Sequence, residues 1–263
     1  MILLWVFVFF TGALSASVEF VIVTASYNNE RYCIRQLESV ANQRYPHWSM
    51  IYINDCSQDK TGLMVEDFVY RNGLSKKIQV IHNTKRKGAM ANIFTAVHMT
   101  DAKKVIVCVD GDDRLSDPGA LEKLAKVYED PEVWVTYGNY KTEPGSIPSV
   151  CKPFPQDILK QGLFRSYEWV SSHPKTFYAG LFHKIKKQDL QLSNKFVSVA
   201  SDVAFMIPIL EMAANSHIRF IEDILYIYNY ENPINDQKIK FDELMATEKK
   251  LREKKRYPPL KAK

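Results

Sequence analysis

The chain has 263 residues, of which 46% are hydrophobic and 25% are charged, and these values are ordinary for a folded globular protein. This length suffices for one large α/β domain or two small ones. The formal net charge of +5 lies in residues 236–263, which carry ten Lys and Arg against five Asp and Glu. Because the rest of the chain is neutral overall, the composition argues against a nucleic-acid-binding protein, which carries basic residues across one face of its fold.

An uncharged apolar run occupies residues 2–14, and the small residues Ser15, Ala16 and Ser17 follow it. This pattern is typical of a secretory signal peptide, and the run is shorter than the roughly 20 apolar residues of a membrane-spanning helix. We therefore expect residues 1–17 to be a signal peptide, with a membrane anchor as the alternative. The expected location is the lumen of the secretory pathway or a membrane that faces it.

Short apolar runs rich in β-branched residues alternate with amphipathic stretches, which predicts strands buried on both faces and separated by helices. The predicted strands are residues 20–23, 50–53, 78–81, 105–109 and 134–137. Apolar side chains at helical spacing predict helices over residues 31–43 and 89–98. Asp117 as N-cap and Pro118 as the first helical residue predict another helix.

Polar side chains follow the predicted strands. Strands that alternate with helices predict an open, mostly parallel sheet, and ligands of such sheets bind outside the carboxyl ends of the strands. The residues that we expect to converge on one crevice are Ser26, Asp55, Asn83, Asp110 and Asp112.

The run Asp110-Gly111-Asp112-Asp113 at the end of the fourth strand is the most specific chemical signal in the sequence. Two carboxylates separated by one residue can both turn toward one ligand, because the glycine lets the backbone bend between them. Oxygen ligands suit Mg²⁺ or Mn²⁺, either of which would bridge a diphosphate. The alternative is a simple turn, in which Asp and Gly are favoured for conformational reasons.

A second carboxylate at a strand end lies in residues 53–62, INDCSQDKTG. A buried strand that delivers Asp55 can direct its carboxylate toward a ring N–H group of a nucleobase. Asp59 and Thr61 are expected to cap the following helix instead, because their side-chain oxygens accept hydrogen bonds from the free N–H groups of a helix start.

The chain resembles a family 2 glycosyltransferase. The segments that carry the resemblance are VIVTASYNNERY (21–32), INDCSQDKTG (53–62), HNTKRKGAMAN (82–92), VDGDD (109–113), SSHPKTFYAGLF (171–182), ASDVAF (200–205) and IEDILYIYNYENP (221–233). The resemblance implies a GT-A-type α/β fold, an open and mostly parallel sheet flanked by helices. It also implies a Rossmann-like donor half over about 18–140, a smaller acceptor half over about 141–235, and a basic tail over 236–263.

The same resemblance implies roles for the donor-half residues. Asp110 would lie near the ribose or the metal, and Asp112 would ligate the metal. The residues that would cradle the nucleobase are Thr24, Ala25, Ser26, Tyr27 and Asp55. Lys87, or its neighbours Lys85 and Arg86, would approach the donor phosphates, although a solvated basic loop explains these residues equally well. Ala25 stands where family members often have Pro, and Asn54 replaces a second acidic residue.

Asp202 matches the catalytic carboxylate of the family, which would accept the proton of the acceptor hydroxyl as that oxygen attacks the anomeric carbon. The alternative is structural, because Ser201-Asp202 opens a predicted helix over 202–214 and an Asp is favoured there by the helix dipole. Asp223 is the second candidate. The sequence predicts no role for His173 or His183.

Three features of the second half are open to alternative interpretations. Lys175 is a minor candidate for a phosphate contact. Tyr226, Tyr228 and Tyr230 alternate along an expected edge strand and would either pack in the core or stack against a sugar. The tail after Phe241 is helix-compatible and would lie in solvent or on an anionic membrane surface.

The expected function is transfer of a sugar from a nucleotide-sugar, with uridine as the expected base, to a glycan, lipid or protein hydroxyl with inversion and with Mn²⁺ or Mg²⁺ as cofactor. The alternative is a homologue that binds a nucleotide-sugar or a glycan without turnover. A sugar nucleotidyltransferase would need a glycine-rich loop after the first strand, where residues 26–29 read Ser-Tyr-Asn-Asn. A Rossmann dehydrogenase is excluded for the same reason, because no G-x-G-x-x-G motif follows any predicted strand.

Overall fold

The computed structural model describes residues 17–145, 147–214 and 216–261. All but Ser17 of the predicted signal peptide or anchor lies outside the described residues. Within the described ranges, no helix combines the length and the hydropathy that crossing a membrane requires.

A mixed sheet forms the centre of the molecule. The strands of the described residues are β1 (Phe20–Ser26), β2 (Trp48–Asn54), β3 (Ile78–His82), β4 (Val105–Cys108), β5 (Arg114–Leu115), β6 (Val135–Glu143), β7 (Lys175–Tyr178), β8 (Gln191–Leu192), β9 (Lys195–Phe196) and β10 (Ile218–Asn229). Eight of them form the main sheet in the order β3-β2-β1-β4-β7-β6-β10-β5, whereas β8 and β9 form a separate hairpin among the described residues.

The half of the sheet nearest the amino terminus is parallel throughout. β1 pairs in parallel with β2 and with β4, and β2 pairs in parallel with β3. β7 runs antiparallel to both β4 and β6, while β6 and β10 are parallel to each other. The predicted α/β architecture with a mostly parallel sheet is therefore confirmed.

Helices cover both faces of the sheet. They are α1 (Cys33–Ala41), α2 (Thr61–Arg71), α3 (Ala89–His98), α4 (Ala120–Val127), α5 (Gln156–Gln161), α6 (Ala179–Phe182), α7 (Ser201–Ala213), α8 (Asp236–Ile239) and α9 (Phe241–Arg252), and a short 3₁₀ helix spans Lys187–Leu190. β1 shows why the sheet is buried on both sides, since Phe20 and Ile22 pack in one core while Val21 and Val23 pack in the other. Burial of each such side chain contributes roughly 1.5–3 kcal/mol.

Two local predictions are wrong. The helix α4 begins at Ala120 with Gly119 at its N-cap, two residues later than predicted. Asp117 lies two positions before that cap and accepts the Gly119 N–H at 2.7 Å. The strand that carries the tyrosines is not at an edge, because β10 lies between β6 and β5.

The tail helix α9 packs against α7 through a buried ion pair. Arg165 donates to both carboxylate oxygens of Glu211 on α7, at 2.7 and 2.9 Å, and to the carbonyl oxygen of Leu251 on α9 at 2.7 Å. The Glu211 side chain is fully buried, so this pair is screened little by solvent. Leu251 itself is buried, which makes α9 part of the fold.

Candidate functional site

A cleft of about 430 Å³ opens at the carboxyl ends of β1 and β4 and extends to the start of α7. Elements from both halves of the chain contribute to its walls. Its lining includes Ala25, Tyr27, Asn29, Arg86, Cys108, Asp110, Gly111, Asp112, Asp113, Trp169, His173, Lys175, Asp202, Tyr228, Tyr230, Asn232, Asp236, Leu244 and Glu248. The fold thus brings Asp202 into the same cleft as Asp110 and Asp112, which precede it by about a third of the sequence.

Asp55 lies beside the cleft and supports a loop. Its Oδ1 accepts hydrogen bonds from Asn83 Nδ2 at 2.8 Å and from the Lys87 N–H at 2.9 Å, and its Oδ2 accepts the Gly88 N–H at 2.8 Å. Burial raises the pKa of this carboxyl, but the hydrogen bonds from Lys87, Gly88 and Asn83 outweigh burial, so the pKa of Asp55 is lowered. Asp55 is therefore a stable carboxylate that fastens residues 83–88 to the sheet.

The residues predicted to cradle the base divide into two groups. Thr24 is fully buried and donates to the Val109 carbonyl oxygen at 2.7 Å, and Ser26 is buried beneath Tyr52. Ala25 and Tyr27 line the cleft. The two groups alternate, because successive side chains of β1 point to opposite faces of the sheet.

A basic side chain lies over the aromatic ring at the mouth of the cleft. The guanidinium of Arg86 is 3.7 Å from the centroid of the Tyr27 ring, close enough for a cation–π contact. Lys87 is exposed and is absent from the cleft lining, so its contribution within the described structure is the backbone hydrogen bond to Asp55. Of the three basic residues considered from the sequence, Arg86 is the one that reaches the cleft.

Asp110, Asp112 and Asp113, here called the acidic cluster, occupy the loop after β4. The backbone N–H of Asp110 donates to the Tyr226 hydroxyl at 3.0 Å, and that hydroxyl donates to Asp113 Oδ2 at 2.8 Å. Asp113 Oδ1 accepts the Asn229 N–H at 2.7 Å. The loop is thus held against β10, a strand that lies more than 100 residues away in the sequence.

Burial and mutual repulsion disfavour ionisation of the acidic cluster. Burial raises the pKa of Asp112 to about 6, with a hydrogen bond from Asn232 opposing the rise and the charge of Asp110 adding to it. The pKa of Asp113 is raised well above its ordinary value by burial, Asp112 and Asp110. For Asp110, burial raises the pKa and the nearby Lys175 charge opposes that rise. Such crowded carboxylates gain stability from a bound cation.

A set of possible metal ligands lies at the same place. One ligand atom from each of Asp110, Asp113 and His173 lies within 4.8 Å of the others, and these donors are compatible with a divalent metal. Asp110 belongs to this set, whereas Asp112 does not, and Asp112 Oδ2 accepts a hydrogen bond from Asn232 Nδ2 at 2.6 Å.

His173 is a site residue that the sequence does not predict. Its ring stacks on Tyr226 with centroids 4.4 Å apart, and its Nε2 is 3.8 Å from Asp110 Oδ2. Burial and the neighbouring Lys175 charge lower the pKa of His173 well below its ordinary value, so the ring is neutral and keeps a lone pair for a ligand. No local pattern marks this role, because the ring reaches Asp110 only through the pairing of β7 with β4.

Asp202 lies in the first turn of α7 and lines the cleft. Its Oδ1 accepts the Val203 N–H at 2.9 Å, which leaves Oδ2 without a hydrogen bond among the described residues. Ala200, just before the helix, has a left-handed backbone with φ of 54°. An alanine in this conformation costs roughly 1–2 kcal/mol, and such strain concentrates at functional sites.

The segment after β10 contributes Asn232, Ile234 and Asn235 to the lining of the cleft. Asn232 contacts Asp112, and Asn235 Nδ2 donates to the Tyr228 hydroxyl at 2.6 Å. Tyr226 is fully buried, which confirms core packing at that position, whereas Tyr228 and Tyr230 line the cleft.

Comparison with known families assigns the chain. The family described as "Glycosyl transferase family 2" matches residues 21–188. This match covers more than half of the chain, including the acidic cluster and His173. The chain belongs to glycosyl transferase family 2. Asp202 lies beyond the matched residues, so its role rests on its position in the cleft.

Individual glycosyltransferases are similar to the chain over less than half of its length. The poly(ribitol-phosphate) beta-N-acetylglucosaminyltransferase TarS of Staphylococcus aureus strain Mu50 is 31% identical over 114 residues, which is 42% of this chain and 19% of TarS. The glycosyltransferase GlyG of Streptococcus pneumoniae serotype 4 is 23% identical over 119 residues, 45% of this chain and 38% of GlyG. The matched region thus spans less than half the length of either relative.

Solved structures establish the fold at larger coverage. S. aureus TarS 1–349 in complex with UDP-GlcNAc superposes with a TM-score of 0.62 at 21% identity, covering 82% of this family 2 chain and 59% of that one. The mannosyltransferase PcManGT of Pyrobaculum calidifontis, in complex with GDP-Man and Mn²⁺, superposes with a TM-score of 0.62 at 16% identity, covering 92% of this chain and 67% of that one. The fold is the GT-A fold.

Proposed function

We propose that the chain transfers a sugar from a nucleotide-sugar, with a UDP-sugar as the preferred donor, to an acceptor hydroxyl with inversion at the anomeric carbon. The observation that carries this proposal is the shared cleft of Asp202 and the acidic cluster. One carboxylate with an oxygen available for a proton therefore faces the same space as a group of carboxylates that favours a cation. Membership of family 2 and the nucleotide-sugars in the TarS and PcManGT structures support the proposal.

In the proposed reaction, the acceptor oxygen attacks the anomeric carbon from the face opposite the diphosphate. The bond between that carbon and the β-phosphate oxygen breaks, and the bonding electrons leave with the nucleoside diphosphate. The proton of the acceptor hydroxyl moves to Asp202 Oδ2, the oxygen that makes no hydrogen bond among the described residues. A single displacement of this kind inverts the configuration of the sugar.

A divalent cation, Mn²⁺ or Mg²⁺, would be held by Asp110, Asp113 and His173, with Asp112 able to join after release of Asn232. When bound, such a cation offsets the charge that develops on the departing diphosphate. Residues of the chain hold the ligand carboxylates in position. The Tyr226 hydroxyl and the Asn229 N–H fix the Asp113 carboxylate, so the loop keeps its geometry without rearrangement.

The base would lie at the end of the cleft formed by β1. Tyr27 presents its ring there with Arg86 against it, and Ala25 leaves room beside it. The loop 83–88 that carries Arg86 is fastened by Asp55. In this proposal Asp55 acts on the nucleotide through the position of this loop and makes no contact with the base itself.

The acceptor would enter beside Asp202. Trp169, Leu244 and Glu248 line the same cleft, and the last two belong to α9. An aromatic ring beside a carboxylate suits a sugar ring, which stacks on the aromatic face while its hydroxyls donate to the carboxylate. We propose a glycan as the acceptor.

Nucleotide release from a panel of UDP- and GDP-sugars, measured for residues 18–263 with Mn²⁺ and with EDTA, tests the proposed function. We expect metal-dependent release of one nucleotide, lost in Asp202→Asn and in Asp110→Asn. Lys103→Met, on the exposed turn before β4, serves as the control variant and should behave as the wild type. Tight nucleotide binding without release in the presence of mixed glycan acceptors would contradict transfer, and no binding would contradict the donor class.

A further inference from the structure

Lys175 is a buried cation at the floor of the cleft. It is the first residue of β7, opposite Cys108 of β4 and Tyr137 of β6, in the middle of the sheet. The residue is 4% exposed, yet it lines the cleft. Its ammonium group therefore faces a space that is closed to bulk water on the sheet side and open toward a ligand.

The ammonium group has more donors than partners. Lys175 Nζ lies 3.1 and 3.2 Å from the two ring nitrogens of His173, and these are its hydrogen-bond contacts within the described residues. An imidazole ring offers at most one acceptor lone pair, and a metal bound at His173 would take that pair. An ammonium group carries three N–H donors. At least two of them lack a protein acceptor in the described part of the chain.

No carboxylate in the described ranges lies within ion-pair distance of Lys175 Nζ. Leaving a buried charge unpaired is expensive, and most buried lysines have a counter-charge. The acidic cluster acts on Lys175 only at longer range, and a cation bound to that cluster would cancel this attraction. Lys175 is therefore a buried ammonium group that makes no ion pair among the described residues.

The other cation that lines the cleft is oriented differently. Arg86 is exposed, and its guanidinium lies against the Tyr27 ring, at the base end of the cleft. Lys175 is anchored beside Asp110 and His173, at the point where the cation and the diphosphate would meet. The position of Lys175 thus fits a phosphate group and does not fit a base or a neutral sugar.

We propose that Lys175 donates hydrogen bonds to a phosphate oxygen of the donor diphosphate and offsets the charge that this group gains as the anomeric bond breaks. This inference rests on the proposed function. The position of Lys175 is fixed by β7, and the residue is part of the chain whether or not a metal is bound. Two positive charges would then act on the leaving group, one from the metal cation and one from Lys175 of β7.

Calorimetric titration with UDP and uridine, and with GDP and guanosine, tests this assignment in EDTA and in Mn²⁺. In Lys175→Met we expect the binding of the nucleoside diphosphate to weaken about tenfold or more in EDTA, whereas nucleoside binding changes less than twofold. Lys175→Arg keeps the charge and should recover part of the loss. Lys103→Met removes an exposed charge at the opposite edge of the sheet and should bind as the wild type.

Equal weakening of nucleoside and nucleoside diphosphate in Lys175→Met would overturn the assignment and make Lys175 a structural residue, as would unchanged diphosphate binding. Failure of the wild-type chain to bind either nucleoside diphosphate in Mn²⁺ would overturn the proposed function together with this inference. Thermal unfolding reports whether each variant folds. If Lys175→Met does not fold, Lys175→Gln and Lys175→Arg take its place in the same comparison.

Discussion

Asp55 and Asp112 both follow parallel strands at the same edge of the sheet, yet their surroundings differ. Asp55 accepts three hydrogen bonds from a single loop, and its pKa is lowered despite burial. Asp112 has Asn232 as its side-chain donor and two other carboxylates beside it, and burial raises its pKa to about 6. One carboxylate is satisfied by the protein alone, and the other needs a further partner.

This difference indicates which strand-end carboxylate carries chemistry. A carboxylate whose oxygens accept several backbone N–H groups stabilises the native state at neutral pH and needs no ligand. A carboxylate crowded by like charges destabilises the native state until a cation binds. Asp55, a supporting residue, and the candidate metal site thus both lie at strand ends. Their hydrogen-bond partners distinguish one from the other.

The largest expected effect is on turnover. Asp202→Asn removes the proton acceptor while keeping the size of the side chain, and a positioned base contributes on the order of 10²–10⁴-fold to a rate. We expect a loss of kcat in that range with the affinity for UDP unchanged. Asp223→Asn, the other carboxylate considered from the sequence, pairs with Lys123 on the exposed surface and should retain full turnover. Loss of turnover in Asp223→Asn, with full turnover in Asp202→Asn, would make Asp223 the proton acceptor instead.

The second-largest expected effect is on the free energy of unfolding, through the supporting residue Asp55. Asp55→Asn weakens the hydrogen bonds that hold loop 83–88 and should lower the free energy of unfolding by about 1–3 kcal/mol at pH 7. Because the folded-state pKa of Asp55 lies below its ordinary value of 3.8, this stabilisation is present above pH 3.8 and is lost as the pH falls through the lowered pKa. Urea unfolding at pH 7 and at pH 3 measures both quantities. An equal loss of unfolding free energy in Asp55→Asn at both pH values would contradict a role for the charge of the Asp55 carboxylate.

Asp112→Asn should change stability in the opposite direction. The pKa of Asp112 is raised from 3.8 to about 6, so the wild type loses stability as the pH rises through this window, and the asparagine variant does not. In EDTA at pH 7.5 we expect the variant to melt several degrees above the wild type, and at pH 3.5 we expect the two to melt together. A variant less stable than the wild type at pH 7.5 would show that Asp112 is a supporting residue like Asp55.

The smallest effect is expected on the acceptor side. Trp169→Ala should reduce transfer to a glycan acceptor several-fold, because the ring contributes one stacking contact of roughly 1 kcal/mol. Hydrolysis of the donor in the absence of acceptor should not change. Trp134, which stacks on His217 with centroids 3.6 Å apart, is absent from the cleft lining and offers the matched control Trp134→Phe. Equal loss of hydrolysis and transfer would argue against an acceptor role.

The donor half is readable from sequence because its strands are buried on both faces. Apolar runs such as residues 20–23 and 105–109 are short and rich in β-branched residues, which favours buried strands, and the strand-end position of the acidic cluster follows from the parallel topology. The helix over Ala89–His98 also has its predicted bounds.

The partners of the acidic cluster are not readable in this way. His173 and Lys175 reach Asp110 through an antiparallel pairing of β7, and Asn232 reaches Asp112 across 120 residues. These residues lie in segments that resemble the family, 171–182 and 221–233, but no periodicity there indicates the contacts themselves. The docking of α9 likewise depends on Arg165 and Glu211, whose pairing arises only in the folded chain.

Titration of Mn²⁺ into the chain, followed by the electron paramagnetic resonance signal of the free ion with and without UDP, tests the central claim most directly. We predict one bound Mn²⁺ per chain, with binding strengthened by UDP and lost in Asp110→Asn but retained in Asp55→Asn. Mn²⁺ binding that is unaffected by Asp110→Asn, or that is lost equally in Asp55→Asn, would contradict the assignment of the acidic cluster as the metal site.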